Sequence, residues 1–306
     1  MKIRVISPGV LTTVQDGGRF GYQASGMPEA GAMDRASLSL ANRLVGNPED
    51  AAVLELTALG GSFAFEGDGT IALTGADMRP LLNEQLVKMD RAIAVKSGDR
   101  LDLGQAVRGM RTYLTASGSI DVPAVLGSCS TDLKSGLGGF QGRRLRAGDV
   151  LNTGAQRPVQ NGTPDFSQEI ASERPEPVLE RLARVTDQDG AATVRFLWGP
   201  QDAMFGPDAK RTFTESLYTI GAASDRMGYR LEGPAVRAEE GTDIISEGIC
   251  FGSVQVPANG QPIVMMADHQ TTGGYAKIAT VLYEDLPLLA QLGPGKKIRF
   301  CPMEPQ

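Results

Sequence analysis

Glycine and proline cut this chain into short pieces. Thirty-eight glycines and 18 prolines among 306 residues leave apolar runs of only a few residues. Such runs, bounded by Gly, Pro, Asn and Asp, fold as strands and are too short for core helices. In the first half the expected strands are Ile3–Ile6, Thr12–Val14, Val53–Thr57, Ser62–Phe65, Thr70–Leu73, Ala92–Val95, Arg100–Leu103 and Met110–Ala116. In the second half they are Thr193–Trp198, Phe213–Ile220, Pro262–Ala267 and Lys297–Phe300. One amphipathic helix interrupts them. Met33, Ala36, Leu40, Ala41 and Leu44 recur at helical spacing, Asp34 stands near the start, and Gly46-Asn47-Pro48 ends the run. Short helices are also expected around Val178–Ala183 and Asp285–Leu292, with Pro287 in the first turn, where its missing N–H costs nothing.

The length exceeds the usual size of one domain, so two domains are expected. A short formula recurs: Lys96-Ser97-Gly98-Asp99, Arg146-Ala147-Gly148-Asp149 and Gly293-Pro294-Gly295-Lys296 each put a Gly turn before a strand. From Gly154 to Ala192 the composition turns polar and Pro-rich, as in a linker or crossover. The expected organisation is a β-barrel domain over 1–160, a linker over 161–192 and a second β-barrel over 193–306.

Thirty basic against 36 acidic residues give a net charge of −6, which argues against nucleic acid as the main partner. Cys129, Cys250 and Cys301 are few, dispersed and without a CxxC pair, as expected of free thiols in a reducing compartment. With a single histidine, no metal site is expected. The N-terminal stretch lacks the apolar segment of a signal peptide, and no apolar run reaches the ~20 residues of a membrane span. A soluble, cytoplasmic protein without a membrane partner is expected.

Four polar clusters are candidates for chemistry. Thr12–Arg19 sets hydroxyls, Gln15, Asp16 and Arg19 beside glycines, as either a pocket wall or a turn with an Asp–Arg pair. Gly127-Ser128-Cys129-Ser130-Thr131-Asp132, followed by a glycine-rich stretch and two arginines, suits a carboxylate or phosphate, or is a surface loop. Ser224–Arg230 places Arg226 and Arg230 around Gly228, for oxyanion recognition or for pairing with Glu232 or Glu247. The densest cluster is Ser246–Tyr275. There Gln255 lies between Val254 and Val256 and points away from both, and a buried strand empties onto Asp268-His269-Gln270-Thr271-Thr272-Gly273-Gly274-Tyr275, read as a polar loop.

Six stretches taken together resemble a known family: PGVLTTVQDGGRFGY, GAMDRASLSLANRLVGN, GSCSTD, SDRMGYRLEG, SEGICFGSVQVPANGQPI and DHQTTGGYAKIATVLYEDLPLLAQLGPG. In this order they resemble the KipA / allophanate hydrolase subunit 2 family, which includes the carboxyltransferase part of urea amidolyase and the C component of ATP-dependent 5-oxoprolinase. Ser119, Cys129 and His269 depart from the family pattern, so the resemblance gives Cys129 and His269 no essential role. The resemblance implies a mainly β fold of two cyclophilin-like β-barrel domains with a few short helices. It also implies a KipI-like partner. For a chain of this length it implies the C component of a 5-oxoprolinase that, with a KipI-like B component and an A component, converts 5-oxo-L-proline to L-glutamate at the expense of ATP. Two alternatives stay open: a carboxyltransferase component that acts on urea or an amide with biotin on a separate carrier, or a non-catalytic antagonist of a KipI-like kinase inhibitor. The residues expected at the catalytic centre are Gln255, Asp268, Gln270 and Thr272. Those expected to bind the small amide substrate are Arg111, Ser128, Ser130, Thr131, Arg226, Thr271 and Tyr275.

Overall fold

The computed structural model describes residues 1–155 and 176–303. The fold is mainly β, and the chain divides into two compact units: Met1–Arg19 with Ala30–Glu180, and Phe20–Glu29 with Arg181–Gln306. Residues 161–175 of the expected linker lie outside the described residues. Its described part carries a helix, Val178–Val185, where the sequence placed one. Among the described residues no helix is long and apolar enough to cross a membrane.

The first unit contains β1 (Lys2–Ser7), β2 (Leu11–Gln15), β3 (Val53–Thr57), β4 (Ser62–Glu66), β5 (Gly69–Asp77), β6 (Leu81–Leu82), β7 (Gln85–Leu86), β8 (Ala92–Val95), β9 (Arg100–Asp102), β10 (Arg108–Ala116), β11 (Ile120–Asp121) and β12 (Val150–Thr153). They form a seven-stranded sheet, β11-β12-β1-β4-β9-β6-β7, and a five-stranded sheet, β2-β3-β10-β5-β8. Ile3, Val5, Phe63 and Phe65 from the first sheet and Val14, Leu54, Leu73 and Leu114 from the second share one apolar core. The helix α1 (Arg35–Leu44) packs on β5 and β10. Asp34 caps it as the sequence predicts, accepting from the Ser37 N–H at 2.8 Å.

A buried polar knot lies under α1. The Tyr113 hydroxyl donates to Glu55 at 2.8 Å and accepts from the Asp34 N–H at 2.8 Å, while the Met33 N–H donates to Glu55 at 2.8 Å. Burial first, and the Glu55 and Asp34 charges next, push the Tyr113 phenol well above its ordinary range. Tyr113 therefore remains a neutral donor.

The second unit contains β13 (Ala191–Trp198), β14 (Tyr218–Ile220), β15 (Gly228–Glu232), β16 (Asp243–Gly248), β17 (Ser253–Gln255), β18 (Ile263–Met265), β19 (Thr272–Tyr275), β20 (Lys277–Val281) and β21 (Lys297–Pro302). Seven of them close a barrel in the order β13-β20-β17-β18-β15-β14-β21, while β16 and β19 form a separate two-stranded ribbon. The barrel closes through parallel pairing of β13 with β21, from Ala191↔Lys297 to Phe196↔Pro302.

Phe213, expected in a strand, instead ends a helix, Pro207–Glu215, that starts with Pro207 in its first turn. Only Phe213 of this helix is buried. It stacks on Phe300 with centroids 4.3 Å apart and meets Phe196 edge-on at 5.2 Å. A single aromatic anchor gives no periodic apolar stripe, so the sequence showed no helix there.

Asp285 ties the second unit together. Its buried carboxylate accepts from the Arg195 N–H at 2.8 Å, from Arg195 Nε and Nη2 at 3.0 and 2.8 Å, and from Arg181 Nη2 at 2.5 Å. Asp285→Asn removes the buried carboxylate that joins two partly exposed guanidinium groups. We expect a loss of about 1–3 kcal/mol, since the partly exposed arginines can turn to solvent, read by denaturant unfolding followed through Trp198, the chain's single tryptophan, which lies on β13.

Candidate functional site

The second unit carries a cleft of about 510 Å³ on its barrel wall. Antiparallel pairing of β15 with β18 sets Tyr229 opposite Val264 and Arg230 opposite Ile263. Strand alternation buries Tyr229 and Leu231 and leaves Arg230 and Glu232 exposed. The exposed residues, Ile263 and Met265 line the cleft, with Asp225 at one side and Gln255, Gln270 and Tyr275 at the other. Three candidates drawn from the sequence thus meet on one surface. Asp225, Glu232 and Asn259, which also line it, stood out less because each sits in an ordinary turn or exposed strand position.

Gln255 occupies an irregular position. β17 pairs with β20 as Val254↔Ala279 but Gln255↔Lys277, a shift of register at Gln255. Such bulges re-aim a side chain out of the regular pleat. Gln255 is 2% exposed, and its side chain makes one hydrogen bond among the described residues, a long one from Nε2 to the Tyr275 carbonyl at 3.4 Å. A buried carboxamide ordinarily uses most of its donors and acceptors, so Gln255 retains unspent capacity. The Gln270 side chain makes no hydrogen bond among the described residues and faces the same cleft.

The loop bearing Gln270 is anchored by Arg226 and Asp268. Arg226 Nε and Nη2 each donate to one Asp268 oxygen at 2.8 Å, with both side chains largely buried. The Asp268 N–H donates to the Arg226 carbonyl at 2.8 Å, and the Met266 N–H to the Met227 carbonyl at 3.0 Å. Arg226 therefore pairs with Asp268, rather than with Glu232 or Glu247, and the two expected site residues are spent on each other. His269 is buried, its Nδ1 2.7 Å from the Gln270 carbonyl oxygen.

The stretch beyond Gln270 is not a loop. Thr272–Tyr275 is the strand β19, pairing with β16 as Glu247↔Gly273 and Gly248↔Thr272. The Thr271 carbonyl accepts from the Ile249 N–H at 3.0 Å, and Thr272 is exposed on the ribbon. Two adjacent glycines read as a turn in sequence. Here they let the ribbon lie close: a Cβ on Gly273 would sit 2.6 Å from Gln255 Nε2.

Lys277 escaped the sequence reading. Its side chain is 5% exposed, and it forms an ion pair with Glu247. Gln201 completes the group, donating from Nε2 to Glu247 at 2.6 Å and accepting the Lys277 N–H at 3.1 Å. A lysine inside the mostly apolar Ala276–Val281 run was the available signal.

The remaining candidates belong to the first unit. Ser128 and Ser130 donate their hydroxyls to Asp16 Oδ1 at 2.7 and 2.5 Å, and the Cys129 N–H reaches Asp16 Oδ2 at 2.5 Å. Thr131 donates through both its hydroxyl and its N–H to the Val14 carbonyl, at 2.9 and 3.0 Å. The fully buried Arg19 holds the same loop by the Val125 and Ser130 carbonyls, each at 3.0 Å. The donors expected to bind an anion thus wrap an internal carboxylate. Arg111 is buried, with Nε 3.9 Å from Glu55.

The carboxyltransferase domain family, subdomains A and B, matches residues 25–302. Among relatives, the C subunit of 5-oxoprolinase from Escherichia coli (strain K12) is 40% identical over 304 residues, covering 99% of this chain and 92% of that protein. The urea amidolyase of Lachancea kluyveri is 33% identical over 314 residues, covering 99% of this chain and 17% of that protein. The crystal structure of the K. lactis urea amidolyase superimposes with a TM-score of 0.85 at 30% identity, over 99% of this chain and 19% of that one. The chain therefore spans nearly all of the bacterial relative and under a fifth of each yeast one.

The hydrogen bonds from Lys277 and then Gln201 hold the Glu247 carboxyl below its usual range. A depressed carboxyl stays ionised through the ordinary carboxylate range, about 4.3, and its ion pair is lost only as pH falls through the lower folded value. A carboxyl-carbon NMR titration is expected to show Glu247 titrating at lower pH than an unpaired glutamate. In Lys277→Met that displacement is expected to shrink toward the ordinary value.

Proposed function

Because the chain belongs to the carboxyltransferase domain family, we propose that it is the C component of an ATP-dependent 5-oxoprolinase. It acts with a KipI-like B component and an A component to convert 5-oxo-L-proline to L-glutamate in the cytoplasm. The observation that carries the reading is the pair of under-used carboxamides, Gln255 and Gln270, on one cleft, in a chain 40% identical to the E. coli protein. A lactam presents one N–H donor and one C=O acceptor side by side, and a carboxamide offers the complementary pair. A site that hydrogen-bonds such a group also rejects analogues that lack it, because its own polar atoms are then left unpaired.

In this reading Gln255 and Gln270 hold the lactam amide, Tyr275 forms the wall beside it, and Arg230 receives the substrate carboxylate. Arg226 and Asp268 act one step back by fixing the loop that presents Gln270. Opening a lactam needs its oxygen activated, and ATP supplies that activation by phosphoryl transfer. The cleft does not suit a triphosphate: among its lining residues Arg230 stands against Asp225 and Glu232. ATP is therefore assigned to the partner components. Ser128, Ser130, Thr131 and Arg111 serve as scaffold in this reading, since Asp16, Val14 and Glu55 engage them.

A second reading is favoured by the 33% identity to the Lachancea kluyveri urea amidolyase. The ureido ring of biotin and urea itself carry the same donor–acceptor edge, and the carboxamides fit either one. Biotin on a separate carrier would supply the carboxyl group there. Mixing the purified chain with its partner components, ATP and 5-oxo-L-proline is expected to yield glutamate. No glutamate, with bicarbonate-dependent ATP turnover on urea in the presence of a biotin carboxylase and its carrier, transfers the assignment to the second reading. Gln255→Ala and Gln270→Ala are each expected to lower kcat/KM about tenfold, the worth of one hydrogen bond to substrate of about 1.4 kcal/mol. Circular dichroism and unfolding midpoints should stay close to those of the unaltered chain.

A further inference from the structure

The ribbon of β16 and β19 runs on through Ala276 into β20 of the barrel, and two side-chain ties lie beside that junction. Lys277 on β20 stands directly across from Gln255 on β17, and Glu247 on β16 stands directly across from Gly273 on β19. The ion pair joins Lys277 to Glu247. The second tie joins the other corners: Gly273 lies against the Gln255 amide, and Gln255 Nε2 donates to the carbonyl of Tyr275. Four residues on four strands thus form a closed rectangle, with one charged side and one amide side.

The two sides differ in strength. The amide contact is a single long hydrogen bond, whereas the charged side joins a buried ammonium to a carboxylate that Gln201 also holds. Lys277 has no other side-chain partner among the described residues, so the ribbon supplies its counter-charge, and lifting the ribbon would leave that ammonium buried and unpaired. Beside these ties the Ala276 N–H donates to the Thr242 carbonyl at 2.8 Å where β19 runs on into β20, and β16 itself buries little. In β16, Ile245 is 93% exposed, and all six residues are exposed or half-buried.

We propose that Lys277 and Glu247 are positioning residues: their ion pair pins the ribbon so that Gly273 and the Tyr275 carbonyl fix the direction in which Gln255 presents its carboxamide to the cleft. The inference rests on the reading of the cleft as the amide site. It extends that reading to residues that touch no substrate. It also explains a buried lysine beside a glutamine with unspent hydrogen bonds, which packing alone does not require.

The test separates the latch from the reaction. Glu247→Gln keeps the shape of a partly exposed side chain, so it is the first variant, with Lys277→Met and Gly273→Ala beside it. In the full chain, hydrogen exchange across 243–248 and 272–275 is expected to quicken about tenfold in Glu247→Gln and Lys277→Met, with exchange in β13 and β21 unchanged. The Gln255 side-chain amide signal in nitrogen-15 spectra, assigned through Gln255→Ala, is expected to shift in all three variants. In the assembled enzyme, KM for 5-oxo-L-proline should rise about tenfold with kcat held within about twofold. The double variant Glu247→Gln with Lys277→Met should be no worse than the poorer single one, because the pair acts as a unit. Glu247→Asp should restore part of the binding.

Unchanged ribbon exchange in both charge variants overturns the latch. Quickened exchange with an unmoved Gln255 signal and unchanged KM overturns the positioning role. If the unaltered complex makes no glutamate, the 5-oxoprolinase reading fails, while the exchange and Gln255 measurements still decide the latch.

Discussion

Closure of the barrel is the constraint on which the second unit depends. β13 pairs in parallel with β21 and antiparallel with β20, so the seven strands leave no open edge. A closed barrel fixes the tilt and register of every strand, and from that follow the outward face of β15 and the place of the register shift on β17. Arg195 reinforces the closure on β13 by joining Asp285 through both its backbone and its guanidinium. The cleft is a consequence of this frame: its walls are the outer faces of β15 and β18 and the loops beside them, which a rigid cylinder holds in place.

Buried charges and buried amides are treated differently in this protein. The ionised groups in its interior are engaged: Asp16 by two serine hydroxyls and backbone N–H groups, Asp268 by Arg226, and Asp285 by two arginines. Leaving any of them bare would cost several kcal/mol. Gln255 is the contrasting case, buried to a similar degree yet under-used. A neutral amide tolerates this at a cost of about 1–3 kcal/mol, well below that of a bare charge.

The strands and α1 were legible in the sequence because their signals are local. Apolar runs cut by glycine, and an Asp34 cap ahead of a helical stripe, each act within a few residues. The Gly turns before β9, β12 and β21 could be read for the same reason, and Gly98, Gly148 and Gly295 adopt the left-handed backbone that such turns require. What stayed hidden was non-local. Ser128 and Ser130 spend their hydroxyls on a carboxylate more than a hundred positions away, so a loop that reads as an anion binder is filled from within. β19 was hidden because its strand character comes from β16 rather than from its own Thr-Gly-Gly-Tyr composition. Lys277 was hidden because burial of a lysine makes sense only once Glu247 is seen beside it. Gln255, Gln270 and Tyr275 were readable as a group because strand alternation and proximity along the chain already placed them near one another.

The placement of β21 at the seam has a bearing on how the protein is made. β21 is the final strand in chain order, and it supplies partners to both β13 and β14. Synthesis runs from the N-terminus at about 5–20 residues per second, so every other barrel strand emerges before the one that closes the cylinder. Until then β13 and β14 each present an unpaired side of the kind that invites association with other chains. The segment Phe20–Glu29, which belongs to this second unit, precedes the rest of that unit in chain order and waits longest for its surroundings. The second unit is thus late to mature, and its exposure to misassembly ends only once β21 has emerged and paired with β13 and β14.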